Sequence, residues 1–152
     1  MQTQWDEMIV LINDGLIPIV ERQWNESGMP GARLNVDWPR YQMFENEGIM
    51  KWVSLRNDGN LVGYATVFIT HPLHHKDDIT GLVDSMYLLP EARKGMTGVT
   101  AISRLEEMLE NEGVNIFLFY VRDFVADGGV GKILEYKGFN RLESGWMKRL
   151  GA

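Results

Sequence analysis

The chain has 152 residues, of which 45% are hydrophobic and 24% charged, which is typical of one compact soluble domain. It has no cysteine, which excludes disulfides and thiolate chemistry and suits a reducing cytoplasm. The net charge of −6 argues against a nucleic-acid partner, because general nucleic-acid binders carry a basic surface. With no signal-peptide pattern and no apolar run of roughly 20 residues, we expect a cytoplasmic protein, a single domain over residues 1–152 and no membrane partner.

The first half of the chain predicts helix followed by a β-hairpin. Apolar residues recur at helical spacing over 5–24, but Gly15 and Pro18 interrupt them, so we expect one bent helix or two short ones. Residues 25–31 have the composition of a loop. The β-rich runs 49–55 and 61–69 flank Asp58-Gly59, a strong hairpin signal because glycine adopts positive φ at low cost.

Strands and helices alternate in the second half. Residues 71–80 are polar and predict a loop before a strand over 81–89. An apolar stripe predicts a helix over 97–111, with Gly113 as its stop.

The almost wholly apolar run 114–121 predicts a strand covered on both faces. A helix is expected over 130–136, ending before Gly138, and one or two strands over 139–150. The order of elements predicts an α/β fold with a mixed sheet.

A basic, glycine-containing segment joins the strand over 81–89 to the helix over 97–111. Arg93 and Lys94 supply positive charge, and Gly95 and Gly98 let the backbone approach a ligand closely. The start of a helix presents unpaired N–H groups and the positive end of its dipole, which favour an anion. We expect a pyrophosphate here; the alternative is an ordinary turn with a solvated Arg-Lys pair.

This segment is similar to the cofactor loop of the GNAT N-acetyltransferase superfamily, typically Pro-Glu-x-Arg-Gly-x-Gly-x-Gly before a helix. Arg93 matches the arginine and Gly98 the last glycine. Met96 stands where the family has its central glycine, and Gly95 is displaced by one, so the loop departs from the family pattern.

Two flanking motifs extend the resemblance in chain order. Residues 60–65, Asn-Leu-Val-Gly-Tyr-Ala, look like the family's third strand, and residues 135–139 resemble the Gly-Phe ending after its last helix. His74-His75, Asp84 and the Pro-Glu-Ala-Arg run at 90–93 look most like acetyltransferase-like proteins of bacteriophages and prophages.

The resemblance implies a mixed, mostly antiparallel central sheet flanked by helices, with a splay between the fourth and fifth strands. Acetyl-CoA is the implied acyl donor, with its pantetheine arm in the gap between those strands. The implied cofactor-binding residues offer strand backbone groups or form the loop and helix start. They are Met86, Tyr87, Leu88, Arg93, Lys94, Gly95, Met96, Thr97, Gly98 and Val99.

Asp84 is the candidate general base. It interrupts an otherwise apolar strand two residues before the implied thioester position, and the resemblance places acidic residues here. Burial would favour the protonated carboxyl group and suit it to proton transfer. The alternative is an aspartate that is satisfied by neighbouring backbone N–H groups.

Three histidines precede this strand. His75 is the second catalytic candidate, as a proton relay near the acceptor entrance. His71, His74 and His75 share no regular spacing with the nearby aspartates, so no metal is expected. A solvated loop is the alternative.

The general acid stays unassigned. The family often uses a tyrosine about five residues before the glycine of Gly-Phe, where this chain has Ile133 and Leu134. Tyr136 and Tyr120 are the remaining candidates, and both also fit core aromatics.

The expected function is transfer of an acetyl group to a primary amine of a small molecule or protein. Trp38, Tyr41 and Trp146 are candidates for lining the acceptor pocket, with core packing as the alternative. The alternative function is a non-catalytic GNAT-like protein that binds CoA or a partner, for example a phage-encoded modulator of a host factor. The oligomeric state is left open, a homodimer included.

Overall fold

A computed structural model describes residues 1–122 and 128–151 of the chain. A five-stranded sheet in the order β1 to β5 forms its centre. The strands are β1 (Gln2–Asp6), β2 (Met50–Asn57), β3 (Asn60–Thr70), β4 (Thr80–Leu88) and β5 (Ile116–Phe119). The helices are α1 (Met8–Asn13), α2 (Leu16–Ser27), α3 (Trp38–Asn46), α4 (Thr97–Asn111) and α5 (Gly129–Tyr136), with a 3-10 turn at Pro90–Ala92.

The sheet is mixed, as predicted. Strands β1 to β4 pair antiparallel with their neighbours, and β5 pairs parallel with β4. Helices cover both faces of the sheet. This arrangement confirms the expected α/β class with a mostly antiparallel central sheet.

Two elements near the N-terminus differ from the sequence prediction. Residues 5 and 6 belong to strand β1, which pairs with β2, because a short segment that completes a sheet edge takes its structure from its partner. The predicted break is confirmed: α1 and α2 are separated at Gly15, whose φ of +102° favours glycine. Helix α3 was not predicted, since none of its residues is fully buried and it carries no clear apolar stripe.

The predicted hairpin is confirmed as β2 and β3. Its turn residues Asp58 and Gly59 have φ of +49° and +81°, the positive values that a two-residue type I′ hairpin turn requires. Close to this turn, β3 and β4 approach each other tightly at Gly63. A Cβ added at Gly63 would lie 2.3 Å from the Tyr87 carbonyl oxygen, so the family-like Leu-Val-Gly pattern has a packing reason here.

Gly63→Ala is therefore expected to destabilise the protein by about 3 kcal/mol, because the clashing atom is backbone and the strands must separate. Chemical denaturation measures the change. Gly145→Ala is the matched control, since a Cβ there meets nothing within 4 Å, and it should leave the unfolding midpoint almost unchanged. Equal midpoints for the two variants would show that β3 and β4 tolerate a wider spacing.

Two apolar clusters pack on opposite faces of the sheet. Helices α1, α2 and α3 cover one face, around buried Trp52, Tyr64 and Tyr87. Helix α4, which has the predicted bounds, covers the other face with its apolar stripe against residues such as Val67 and Val83. None of the helices in the described ranges combines the length and apolar character needed to cross a bilayer.

The last part of the chain corrects two expectations. Strand β5 is shorter than predicted and its side chains are only half-buried. The strands expected over 139–150 are wrong: those residues join no ladder, and Leu142, Trp146 and Leu150 are exposed, so no alternating apolar face is buried. Phe139 anchors the segment by its edge-on contact with Phe117, with ring centroids 5.0 Å apart.

Candidate functional site

Strands β4 and β5 separate halfway along β4. Their parallel pairing runs from Thr80↔Ile116 to Val83↔Phe119, and the Tyr120 N–H still donates to the Val83 carbonyl oxygen at 3.5 Å. Strand β4 continues to Leu88 while paired with β3 alone among the described residues. The predicted splay is confirmed, and it begins at Asp84.

Asp84 occupies a β-bulge at this point. The β3–β4 register changes from Val67↔Val83 to Thr66↔Ser85, which leaves Asp84 without a residue opposite it. An extra residue of this kind bends the strand and redirects side chains. Asp84 is therefore exposed, and the expectation that its strand would bury it is wrong.

The bulge directs Ser85 to the face covered by α2. Gln23 Nε2 donates to Ser85 Oγ at 2.9 Å, and the Tyr64 hydroxyl lies 3.2 Å from the same oxygen and also donates to Gln23 Oε1. Burial raises the pKa of Tyr41 on α3, and the negative charge of Asp84 raises it further. Asp84 and Ser85 therefore both face α2 and α3, which is the consequence of the bulge.

Aromatic rings lie beside this polar group. The Trp52 ring centroid is 5.0 Å from that of Tyr41, 5.7 Å from that of Tyr64 and 6.4 Å from that of Trp38. Trp38 and Tyr41 thus pack on the core and stand next to the Asp84 face, whereas Trp146 is 96% exposed in the C-terminal segment. The structure brings two of the three predicted acceptor-pocket aromatics together.

The cofactor-loop arginine already has partners. Arg93 Nη1 and Nη2 donate to the two Glu26 carboxylate oxygens at 2.6 and 3.0 Å, and Nε donates to the Leu88 carbonyl oxygen at 2.7 Å. The guanidinium lies 5.1 Å from the centre of the Tyr87 ring, and the Tyr87 hydroxyl donates to Glu26. The hydrogen bonds from Arg93 are the main cause that lowers the pKa of Glu26.

The start of α4 has no side-chain cap. Gly95 has φ of +55°, so the displaced glycine makes the turn into the helix. Met96 is the N-cap residue and supplies no side-chain hydrogen bond, which leaves first-turn N–H groups without a side-chain cap. Gly98 lets α5 approach, because a Cβ there would lie 2.9 Å from Ile133 Cδ1. These features fit a pyrophosphate that approaches the helix end.

Helix α2 contacts both the bulge in β4 and the segment that precedes α4. Sequence analysis did not predict these contacts. Arg22 forms a two-bond ion pair with Glu91 at 2.8 and 3.0 Å, next to the Glu26–Arg93 pair. Gln23, between the two ion-pairing residues, reaches the bulge. The available signal was a cluster of long polar residues at neighbouring positions of one helix, which does not by itself indicate a partner.

His75 lies far from the bulge at Asp84. Its Nδ1 is 2.9 Å from Asp78 Oδ2, and Asn115 Nδ2 donates to Asp78 Oδ1 at 2.7 Å. This group precedes Thr80, the first residue of β4, and about 13 Å of strand separates Thr80 from Asp84. The structure does not bring His75 to the gap with Asp84.

Solved structures with this fold include acetyltransferases. A ribosomal-protein-alanine N-acetyltransferase from Brucella melitensis superposes with a TM-score of 0.73 at 15% identity, covering 99% of this chain and 100% of that one. A predicted acetyltransferase from Clostridium acetobutylicum, solved with acetyl-CoA, gives 0.68 at 14% identity, covering 98% and 95%. An aminoglycoside acetyltransferase from an uncultured soil metagenomic sample gives 0.72 at 10% identity, covering 99% and 96%.

Comparison of the sequence with protein-family profiles identifies the family of this chain. None of the curated proteins matches the chain significantly. The profile of the acetyltransferase (GNAT) family matches residues 16–127, which include the bulge, the gap and the whole loop before α4. The chain therefore belongs to the GNAT acetyltransferase family, whose acetyl donor is acetyl-CoA.

Proposed function

We propose that this single domain transfers the acetyl group of acetyl-CoA to a primary amine, with Asp84 as the general base. The observation that carries the proposal is the coincidence of the bulge with the splay: Asp84 is the unpaired residue at the point where β4 leaves β5. A thioester in the gap would therefore lie beside an exposed carboxylate that is able to take a proton from the amine.

The rest of the site supports this chemistry. The backbone of Met86, Tyr87 and Leu88 borders the gap without a β5 partner among the described residues, which suits an arm that bonds like an added strand. The loop around Gly95 and the uncapped start of α4 suit the pyrophosphate. Acetyl-CoA supplies the activated acyl group, and the protein orients it, excludes water and moves protons.

The acceptor is an amine that enters over the Asp84 face, beside Tyr41 and Trp38. We keep both a small molecule and a protein amino group as acceptors, because the structural relatives include enzymes named for each kind. The resemblance of His74-His75 and the segment 90–93 to phage proteins supports a host factor as one acceptor to test.

The test is thiol release from acetyl-CoA in the presence of a panel of amines: amino sugars, diamines, amino acids and peptides. Release above the hydrolysis background with any amine supports the proposal. The second candidate function, a CoA-binding protein without catalysis, is favoured by the apolar residues Ile133 and Leu134 where the family often has a tyrosine. Tight acetyl-CoA binding without thiol release from any amine would favour that candidate.

Glu26 competes with the pyrophosphate for Arg93 in this proposal. Glu26→Gln removes the charge that holds the guanidinium. We therefore expect acetyl-CoA affinity to rise about twofold to fivefold, which corresponds to the free energy of an exposed ion pair. Calorimetric titration at low and physiological salt measures it. Glu91→Gln, which breaks the neighbouring pair with Arg22 and leaves Arg93 in place, is the control and should leave affinity unchanged. A weaker affinity for Glu26→Gln would mean that Glu26 holds Arg93 in its binding position.

A further inference from the structure

Three buried side-chain polar atoms have no hydrogen-bond partner among the described residues. They are Thr3 Oγ1, Trp52 Nε1 and Thr66 Oγ1. Buried polar groups are usually bonded, and an unbonded one costs free energy of folding. A buried polar group that nothing bonds is therefore a candidate for contact with a ligand, provided that its position in the fold fits one.

Two of these groups share one cross-strand row of the sheet. Trp52 lies directly opposite Thr66, and Thr66 lies directly opposite Ser85, so the three side chains stand on the same face. Residues that are paired in this way have Cβ atoms about 4.5–5.5 Å apart. The row ends at the bulge, because Ser85 is the chain neighbour of Asp84.

Two tyrosines connect this row with Asp84. The Trp52 ring centroid is 5.0 Å from that of Tyr41 and 5.7 Å from that of Tyr64. Burial raises the pKa of both tyrosines, and the negative charge of Asp84 raises it further. Asp84 therefore lies close to the rings around Trp52, and the two unbonded groups lie next to the proposed base.

The chemistry of the two groups defines the partner that they lack. The Trp52 N–H can only donate a hydrogen bond, whereas the Thr66 hydroxyl can donate or accept one. The polar neighbours Gln23, Tyr64 and Ser85 are already bonded to one another. An oxygen that accepts from both groups would satisfy them, and a neutral hydroxyl or carbonyl oxygen costs less to bury than a carboxylate.

Helix α3 separates the row from solvent. Thr66 is fully buried and Trp52 is 2% exposed, and Trp38 and Tyr41 of α3 pack on the Trp52 ring. None of the α3 residues is fully buried, whereas α1 and α2 each contribute buried residues to the core. Displacing α3 therefore exposes less apolar surface than displacing either of the other two helices.

We propose that Trp52 Nε1 and Thr66 Oγ1 recognise a hydroxyl or carbonyl oxygen of the acceptor, which enters as α3 moves aside. This inference rests on the proposed function and specifies its substrate as an amine with a second, uncharged polar end. One cross-strand spacing and one residue along β4 separate the bound oxygen from Asp84 by about 5–8 Å. That span corresponds to about four to six covalent bonds between the nitrogen and the oxygen.

Amino alcohols and alkylamines of equal length test the recognition of oxygen. The probes are aminopropanol, aminobutanol and aminopentanol with the amine and the hydroxyl at opposite ends. Each is matched with the alkylamine in which a methyl group replaces the hydroxyl. We expect kcat/KM of at least one amino alcohol to exceed that of its alkylamine by about tenfold, a modest value for two neutral hydrogen bonds. Equal values in every pair, from an enzyme that releases thiol with these amines, overturn the inference and leave the proposed function standing.

Thr66→Val replaces the unbonded hydroxyl with a methyl group of nearly the same shape. The thermal unfolding midpoint should rise, because the variant no longer buries an unsatisfied hydroxyl, while the preference for the amino alcohol should be lost. Thr3→Val is the matched control, since Thr3 lies opposite Leu55 and therefore on the α4 face. Its midpoint should also rise, but its preference should stay that of the wild type. A Thr66→Val protein that keeps the preference, or that unfolds at a lower temperature, contradicts the assignment.

The indole N–H of Trp52 gives a readout that does not depend on turnover. Trp52→Phe assigns its resonance among those of the five tryptophans. Titration with the amino alcohols in the presence of CoA should move this proton downfield as the hydrogen bond forms, and the matched alkylamines should not. If the wild type releases no thiol with any amine, the proposed function fails, but this titration still decides whether the row binds an oxygen. An indole proton that none of the amino alcohols moves overturns the inference.

Discussion

Asp84→Asn is expected to reduce turnover by about 10²- to 10⁴-fold while acetyl-CoA affinity stays within about twofold, because the change removes the proposed general base and no proposed cofactor contact. The variant should fold normally, since Asp84 is exposed and asparagine keeps its size. Steady-state thiol release and calorimetric titration of acetyl-CoA measure the two quantities.

Asp77→Asn is the matched control for this experiment. It removes an exposed carboxylate from the loop before β4, away from the gap, and should retain wild-type turnover. His75→Gln separates the second candidate, because His75 lies at the opposite end of the β4–β5 pair and should also retain turnover. Full activity of Asp84→Asn would assign the base to another group.

Gly98→Asp should weaken acetyl-CoA binding at least about 100-fold. It places a negative charge in the first turn of α4, where the pyrophosphate would take charge-assisted hydrogen bonds that contribute about 1.5–3 kcal/mol each. An acidic residue in the first turn of a helix interacts favourably with the helix dipole, which offsets part of the cost of the added side chain. Calorimetric titration and circular dichroism measure binding and fold.

The neighbouring helix requires a specific control. A Cβ at Gly98 would press on Ile133 Cδ1, so both substitutions are best made in an Ile133→Val background, which removes the contacting methyl group. Gly98→Ala with Ile133→Val adds the Cβ without a charge and should bind acetyl-CoA nearly as well as Ile133→Val alone. If the alanine and aspartate variants lose affinity equally, packing of α5 and not charge at the loop controls binding.

Elements with a strong local pattern could be predicted from the sequence. The Asp58-Gly59 turn specified the hairpin, and the apolar stripe of α4 gave that helix with its bounds, because turn chemistry and helical periodicity are local properties. Strand β1 and helix α3 escaped prediction because their structure depends on a sheet edge and on neighbouring rings that lie far away in the chain. The strands expected over 139–150 are absent because none of the described strands pairs with these residues.

The candidate site also contains features that the sequence predicts and features that it does not. The segment 93–98 is predicted to bind an anion because glycines and basic residues before a helix favour one, and this assignment stays a prediction. The exposure of Asp84 escaped prediction because it comes from a one-residue offset between β3 and β4, a property of pairing. The Glu26–Arg93 pair joins residues 67 positions apart, and no local pattern indicates it.

A crystal structure of the protein with acetyl-CoA tests the central claim most directly. We predict the pyrophosphate at the N–H groups that begin α4, with Arg93 turned from Glu26 toward it. The pantetheine arm should run along Met86–Leu88, and the thioester should lie beside Asp84. Acetyl-CoA bound outside the gap, or β4 and β5 paired through Leu88 in the complex, would contradict the account.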